Sequence, residues 1–139
     1  MSGGAEGYLM GYRELLGRLA AWEDRMAEEE ALTGIAPDRG KGEALFREAE
    51  AKKRELLRFI ETIGEEEDER TRRLRKALRL YYCELLSWGE VRGLLRPLVL
   101  RKGSPEMNLR KGAGISKTAM LRVREEALMA AEEAIGVHR

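Results

Sequence analysis

Twice in its first half the chain sets residues at an alternating three- and four-position spacing, and the two runs are separated by a stretch that a helix does not tolerate. Tyr8, Tyr12, Leu15, Leu19, Trp22 and Met26 form the first run, and Phe46, Ala49, Lys53, Leu56, Ile60 and Ile63 the second, with Lys53 its one polar member. This rhythm keeps one seam of a helix turned toward a partner. The intervening Leu32 to Gly42 carries Pro37 and three glycines, all helix breakers. The spacing predicts helices over Ala5–Ala31 and Glu43–Ile63. Joined by so short a loop, they fold back as an antiparallel hairpin and bury their seams together. Gly11 and Gly17 weaken the first helix, each by roughly 1 kcal/mol relative to Ala. Both seams are too short for a long coiled coil, and the sequence does not separate plain core packing from a homodimer interface through these N-terminal helices.

A chain of 139 residues is one domain, or one small domain with a helical extension. Charged residues make up 37% of it and aromatics 6%, with only three prolines, so the expected fold class is all-α. Cys83 is the single cysteine, which excludes an internal disulfide framework and fits a reducing cytosol. No apolar run approaches the roughly 20 residues needed to cross a bilayer, and no charged-then-apolar leader opens the chain. A soluble, cytoplasmic protein without membrane contact is expected.

The net charge of +1 conceals an asymmetry. Between Arg70 and Arg124, 15 Lys or Arg meet three acids (Glu84, Glu90, Glu106), an excess of +12 that leaves −11 for the remainder. Binding to a polyanion follows the local field and not the total, so this half is a candidate for phosphate contacts.

Gly64 closes the second helix, and the acidic run Glu65–Glu69 is expected to open a third at the positive end of its dipole. Within it Glu66, Asp68 and Glu69 each precede an arginine by four, the favourable orientation for surface pairs. Leu74, Leu78, Tyr81 and Leu85 should form the buried stripe of that helix, widened by Ala77, Tyr82 and Leu86. Ser87-Trp88-Gly89-Glu90-Val91 is then a capping box, with a serine three residues ahead of a glutamate at the head of a new apolar run. The fourth helix should span about Trp88–Leu95 and end before Pro97. A basic loop with breakers at Gly103, Pro105, Gly112 and Gly114 follows, in which residues 98–100 and 107–109 are apolar enough to pair as a small hairpin. Ser116 caps a fifth helix, Lys117 to about Ile135, with Ile115 and Met120 in the positions of a hydrophobic staple. That helix should bury Met120, Val123, Ala127, Leu128, Ala131 and Ile135. Two capped helices in series after a longer one, rich in Arg and Lys, read as a helix-turn-helix that enters a DNA groove.

Enzyme chemistry finds little footing, and neither a catalytic residue, a metal site nor a cofactor is expected. His138 is the only histidine and stands one residue from the end of the sequence. One Cys and one His cannot build a tetrahedral zinc site. Glycines are frequent, yet no phosphate-cradling motif follows a strand. The DNA reading has a mechanism: the first turn of a recognition helix offers side chains to base edges while nearby cations grip phosphate. Base-reading candidates are Lys117, Thr118, Arg122 and Arg124, with Arg122 suited to bidentate pairing with guanine. Phosphate candidates are Ser116, Arg92, Arg96, Arg101, Lys102, Arg110 and Lys111.

LRLYYCELLSWGEV followed by GISKTAMLRVREEAL resembles region four of bacterial sigma factors, through Tyr81, Ser87, Trp88, Glu90, Val91, Ser116, Ala127 and Leu128. With the N-terminal YLxxYR helix, the Pro/Gly loop and the second charged helix, the layout of most of the chain resembles the phage-encoded transcriptional regulators of the ArpU/RinA type. The resemblance implies an N-terminal helical hairpin over 1–64 and a sigma region-four-like helix-turn-helix DNA-binding domain over 65–139. It implies double-stranded DNA and host RNA polymerase as partners, and activation of late phage genes in the cytoplasm of a bacterial host. Ser87 and Ser116 stand 29 positions apart, well beyond the family spacing, so the basic loop is an enlargement that either acts as a wing or arm adding DNA contacts or spoils the tight turn. Two other classes share the layout: a small terminase-like DNA-packaging subunit and a helical adaptor that docks on acidic proteins.

Overall fold

The computed structural model describes residues 4–64, 66–96 and 114–137. Among them every regular element is helical: α1 (Gly4–Leu9), α2 (Gly11–Thr33), α3 (Gly40–Glu61), α4 (Glu69–Leu78), a π-helical turn (Arg79–Cys83), α5 (Trp88–Leu94) and α6 (Lys117–Val137). The all-α expectation holds. The apolar segments 98–100 and 107–109 lie outside the described residues. No helix among those described is long and apolar enough to cross a membrane.

α1 and α2 are nearly one helix. Met10 interrupts them, yet its N–H still bonds Glu6 O at 2.9 Å and its carbonyl accepts from the Glu14 N–H at 3.0 Å. Gly34 ends α2 in a left-handed conformation, with its N–H on Glu30 O at 2.8 Å. α2 and α3 then run antiparallel, because rising numbers on one meet falling numbers on the other. Tyr8 packs edge-on against Phe59 at 5.1 Å, the Lys53 ammonium stands 5.7 Å from the Tyr12 ring, and Trp22 lies over Gly42. The contact with Tyr12 accounts for the lysine in the seam, since an ammonium is held favourably at a ring face.

The inner seam buries Tyr12, Leu15 and Trp22 on α2 against Ala49, Leu56 and Ile60 on α3. Phe46 departs from the expected seam and is half exposed. It lies toward the hairpin tip, where it lines a groove with Leu19, Trp22 and Met26 of α2, whereas the C-terminal helices cover the base. That layer is tied down at several points. Glu132 on α6 accepts from the Ala5 N–H at 2.7 Å, Arg79 reaches Glu61 at 3.9 Å, and Arg75 donates to Ile63 O at 2.8 Å.

The third helix begins later than the acidic run suggests. Asp68 is its N-cap and accepts from the Thr71 N–H at 2.8 Å, which holds the Asp68 carboxyl below its ordinary range. Only Glu69 falls in the first turn. Two of the arginines expected to pair with the acidic run also reach other partners. Arg70 forms a two-pronged contact with Glu126 of α6 at 2.9 and 2.7 Å, and Arg72 donates to Glu67 O at 3.1 Å. The Arg70 guanidinium holds the Glu126 carboxyl below its usual value.

The predicted stripe fails at its far end. The Glu84 N–H bonds Arg79 O, five residues back, at 2.9 Å. The widened turn accommodates an extra residue and rotates whatever follows it. Leu74, Ala77, Leu78 and Tyr82 are buried as expected, and beside Tyr82 it is Cys83 that fills the core. Tyr81 is displaced to the side. Leu85 lands exposed with φ of 64°, an uncommon conformation for a side chain larger than glycine. Burial pushes the Tyr82 phenol up to about 12 and the Cys83 thiol up to about 11.

The capping box forms as written in the sequence. Ser87 Oγ accepts from the Glu90 N–H and Glu90 Oε1 accepts from the Ser87 N–H, both at 3.1 Å. Ser87→Ala is expected to cost about 1 kcal/mol, read from the midpoint of thermal or urea unfolding. A loss below the error of that measurement would mean that the helix start is held by packing alone.

Candidate nucleic-acid interface

The two short-range signals of the C-terminal half, at Ser87 and Ser116, open α5 and α6, and the contact between these helices decides what α6 presents. α5 is one short helix held at both ends. Its start has the capping box, and at its end Lys76 of α4 donates to Leu94 O at 3.0 Å. A cation at the last carbonyls of a helix satisfies acceptors that have no partner within it. The lead into α6 docks on the same end of α5. Gly114 has φ of 74°, and the Ile115 N–H donates to Arg92 O at 3.2 Å.

From there α6 starts cleanly. Ile115 is buried, and Ser116 Oγ accepts from the Ala119 N–H at 3.1 Å. Met120, Val123, Ala127 and Ala131 face the core, in helical succession. Leu128 and Ile135 are only partly buried. The opposite face of the first two turns, with Lys117, Thr118, Leu121 and Arg122, is exposed, as is Ser116. Lys117 and Leu121, like Thr118 and Arg122, are four apart and so stand one above the other.

The remaining candidates divide. Arg96 is exposed and Arg92 half-buried, at the end of α5 where the lead into α6 docks. Arg124 is drawn inward instead. Its guanidinium lies 5.2 Å from the centre of the Trp88 ring and one nitrogen is 4.0 Å from the Glu6 carboxylate. Arg101, Lys102, Arg110 and Lys111 lie outside the described residues.

The inward turn of Arg124 belongs to a series of planar groups that sequence reasoning missed. The Arg13 guanidinium of α2 lies 4.3 Å from the Tyr81 ring centre, Tyr81 stacks on Trp88 at 4.1 Å and 10°, and Arg124 closes the series. Arg13 also donates to Tyr81 O at 3.0 Å and to Leu86 O at 3.1 Å, carbonyls left open where the π turn unwinds. Nothing in the sequence marks Arg13, because its acceptors exist only once that turn has formed.

The basic excess is therefore partly spent within the fold. Arg70, Arg75, Lys76, Arg79 and Arg124 answer carboxylates or carbonyls, among them Glu6 and Glu61 from the acidic half. Arg75 is only 8% exposed. Among the described residues, Arg92, Arg96, Lys117 and Arg122 stand around the end of α5 and the start of α6, while Arg72 is exposed on α4. Among the described residues, no three His, Cys, Asp or Glu side chains converge as a metal site requires. No known family model, curated protein or solved structure matches this chain.

Proposed function

We propose that this chain is a non-enzymatic, sequence-specific duplex DNA-binding protein, a phage or prophage transcription regulator of the late-gene activator type. In this reading α5 and α6 form a helix-turn-helix and α6 is its recognition element. One observation carries it: α6 buries one face while its first two turns, capped by Ser116, leave Lys117, Thr118 and Arg122 exposed beside the cationic end of α5. Arg122 is suited to bidentate pairing with guanine O6 and N7 in the major groove, and Thr118 to a base or a phosphate oxygen. Lys117 stands with them as a base reader, and Ser116, Arg92 and Arg96 supply phosphate contacts, which fix register and carry no sequence information. Arg124 acts through Trp88 and Glu6 and holds the helix in place. The phage-regulator part of the reading rests on the layout of most of the chain, the YLxxYR helix, the Pro/Gly loop and the second charged helix ahead of the sigma region-four-like motif residues.

Selection of bound fragments from a random duplex pool tests it. One enriched motif is expected, and Arg122→Ala should relax preference at a single position at a cost of about 1–3 kcal/mol. Arg96→Ala should weaken all sequences alike and lower the slope of log affinity against log salt by about one. Absence of duplex binding at low salt, or an affinity indifferent to salt, would overturn the reading.

A further inference from the structure

Among the described residues, nothing covers the tip of the hairpin face whose base the C-terminal helices cover. There α2 and α3 enclose an apolar groove of about 580 Å³, floored by Leu19, Trp22, Met26 and Phe46. Three of the exposed large apolar side chains stand at this end: Phe46 is 52% exposed, Ile35 72% and Leu32 86%. A patch of this kind, rimmed by charge, is the usual mark of a partner surface.

We propose that the groove is closed by the same groove of a second copy, about a two-fold axis perpendicular to α2 and α3. A two-fold contact must be self-complementary, with residue i meeting j and j meeting i. Arg39 and Glu43 line the α3 wall with opposite signs, four residues apart. When two α3 helices face each other antiparallel about the height of Lys41, Arg39 of each copy meets Glu43 of the other. An axis parallel to the helices instead drives the two C-terminal layers into one another, since both stand on the groove side of their hairpins. The perpendicular axis avoids that collision. It sets Leu32 and Ile35 of each tip beside the other copy's C-terminal half, and the acidic end of α2 (Glu28, Glu29, Glu30) against the basic part of the chain. Two hairpins packed this way form a four-helix layer with a C-terminal half at each end. Glu23 of α2, near the axis, is the one like-charge approach.

The inference is independent of DNA binding and is tested on the full chain without nucleic acid. Sedimentation should show a dimer whose dissociation constant rises at least about tenfold in Phe46→Glu, in Arg39→Glu and in Glu43→Arg, and recovers in the Arg39→Glu/Glu43→Arg double variant. Glu23→Gln should tighten it. These side chains are exposed in one copy, so unchanged circular dichroism will show that each variant folds. Spin labels at Gly7→Cys, where a side chain meets nothing within 4 Å, should lie about 50 Å apart, whereas the parallel arrangement requires about 25 Å. The native Cys83 is buried and out of the label's reach. A monomer, a ring of many copies, a dimer indifferent to Phe46→Glu, a double variant without recovery, a weaker Glu23→Gln dimer or the shorter label distance would each overturn the proposal.

Discussion

Replacing Gly114 with alanine is expected to lower the stability of the protein by about 2–4 kcal/mol and to free the start of α6 from α5. Two costs add. The residue sits at φ of 74°, where a side chain pushes against its own carbonyl. Its new methyl would also fall 2.2 Å from Arg92 O and 2.8 Å from Gly93 Cα. Both are backbone atoms of α5 and cannot rotate away, so the chain itself must shift. Urea unfolding reads the stability, and hydrogen exchange at the Ile115 N–H reads the detachment directly, because that group bonds Arg92 O. Gly93→Ala is the control: a methyl there meets nothing within 4 Å and should stabilise α5 by up to about 1 kcal/mol. If both variants unfold alike, the close approach of the α6 lead to α5 is not real.

Arg75→Ala is expected to cost about 2–4 kcal/mol by the same measurement. Its guanidinium is buried between α3 and α4, donates through Nε to Ile63 O at 2.8 Å, and pairs with the Glu67 carboxylate. Truncation leaves the Ile63 carbonyl, at the end of the hairpin, without that donor. Lysine should recover less than half of the loss, because it offers a point charge in place of a planar fork. Arg72→Ala on the exposed side of α4 should change stability by less than about 0.5 kcal/mol. Equal losses at 72 and 75 would place the stabilisation in net charge and not in the buried contact.

Reading the sequence succeeds where the determinants are local. The helices, their caps and most of the inward faces follow from period and from side chains that bond their own backbone within three residues. Ser87, Glu90 and Ser116 are of that kind, and their bonds form as the spacing requires. Arg75 is different. Its charge counts toward the basic excess in the sequence, yet its partners are a carbonyl and a carboxylate 12 and 8 residues away. No local rule separates it from Arg72.

The π turn is the other limit. A strict 3.6-residue period carried past Leu78 centres the stripe on Tyr81 and Leu85 with Tyr82 at its flank, and a single widened turn moves the centre to Tyr82 and Cys83. Only the completed packing favours such a turn, since it trades regular bonds for the burial of Tyr82 and for the Arg13 contacts. For the candidate surface, the exposed run Ser116, Lys117, Thr118 and Arg122 was legible from the cap and the helical period. The inward turn of Arg124 was not, because Glu6 lies at the opposite end of the chain.

The stack from Arg13 through Tyr81 and Trp88 to Arg124 spans four elements, from the hairpin to α6. Flat groups in contact have a fixed thickness, roughly 3.5 Å each, and do not compress. They therefore serve as a shim, setting the stand-off between the hairpin and the first turns of α6. A thinner residue at 81 or 88 would let the halves settle closer and tilt α6 without unfolding either, so surface geometry here can drift through substitutions that leave the surface itself untouched.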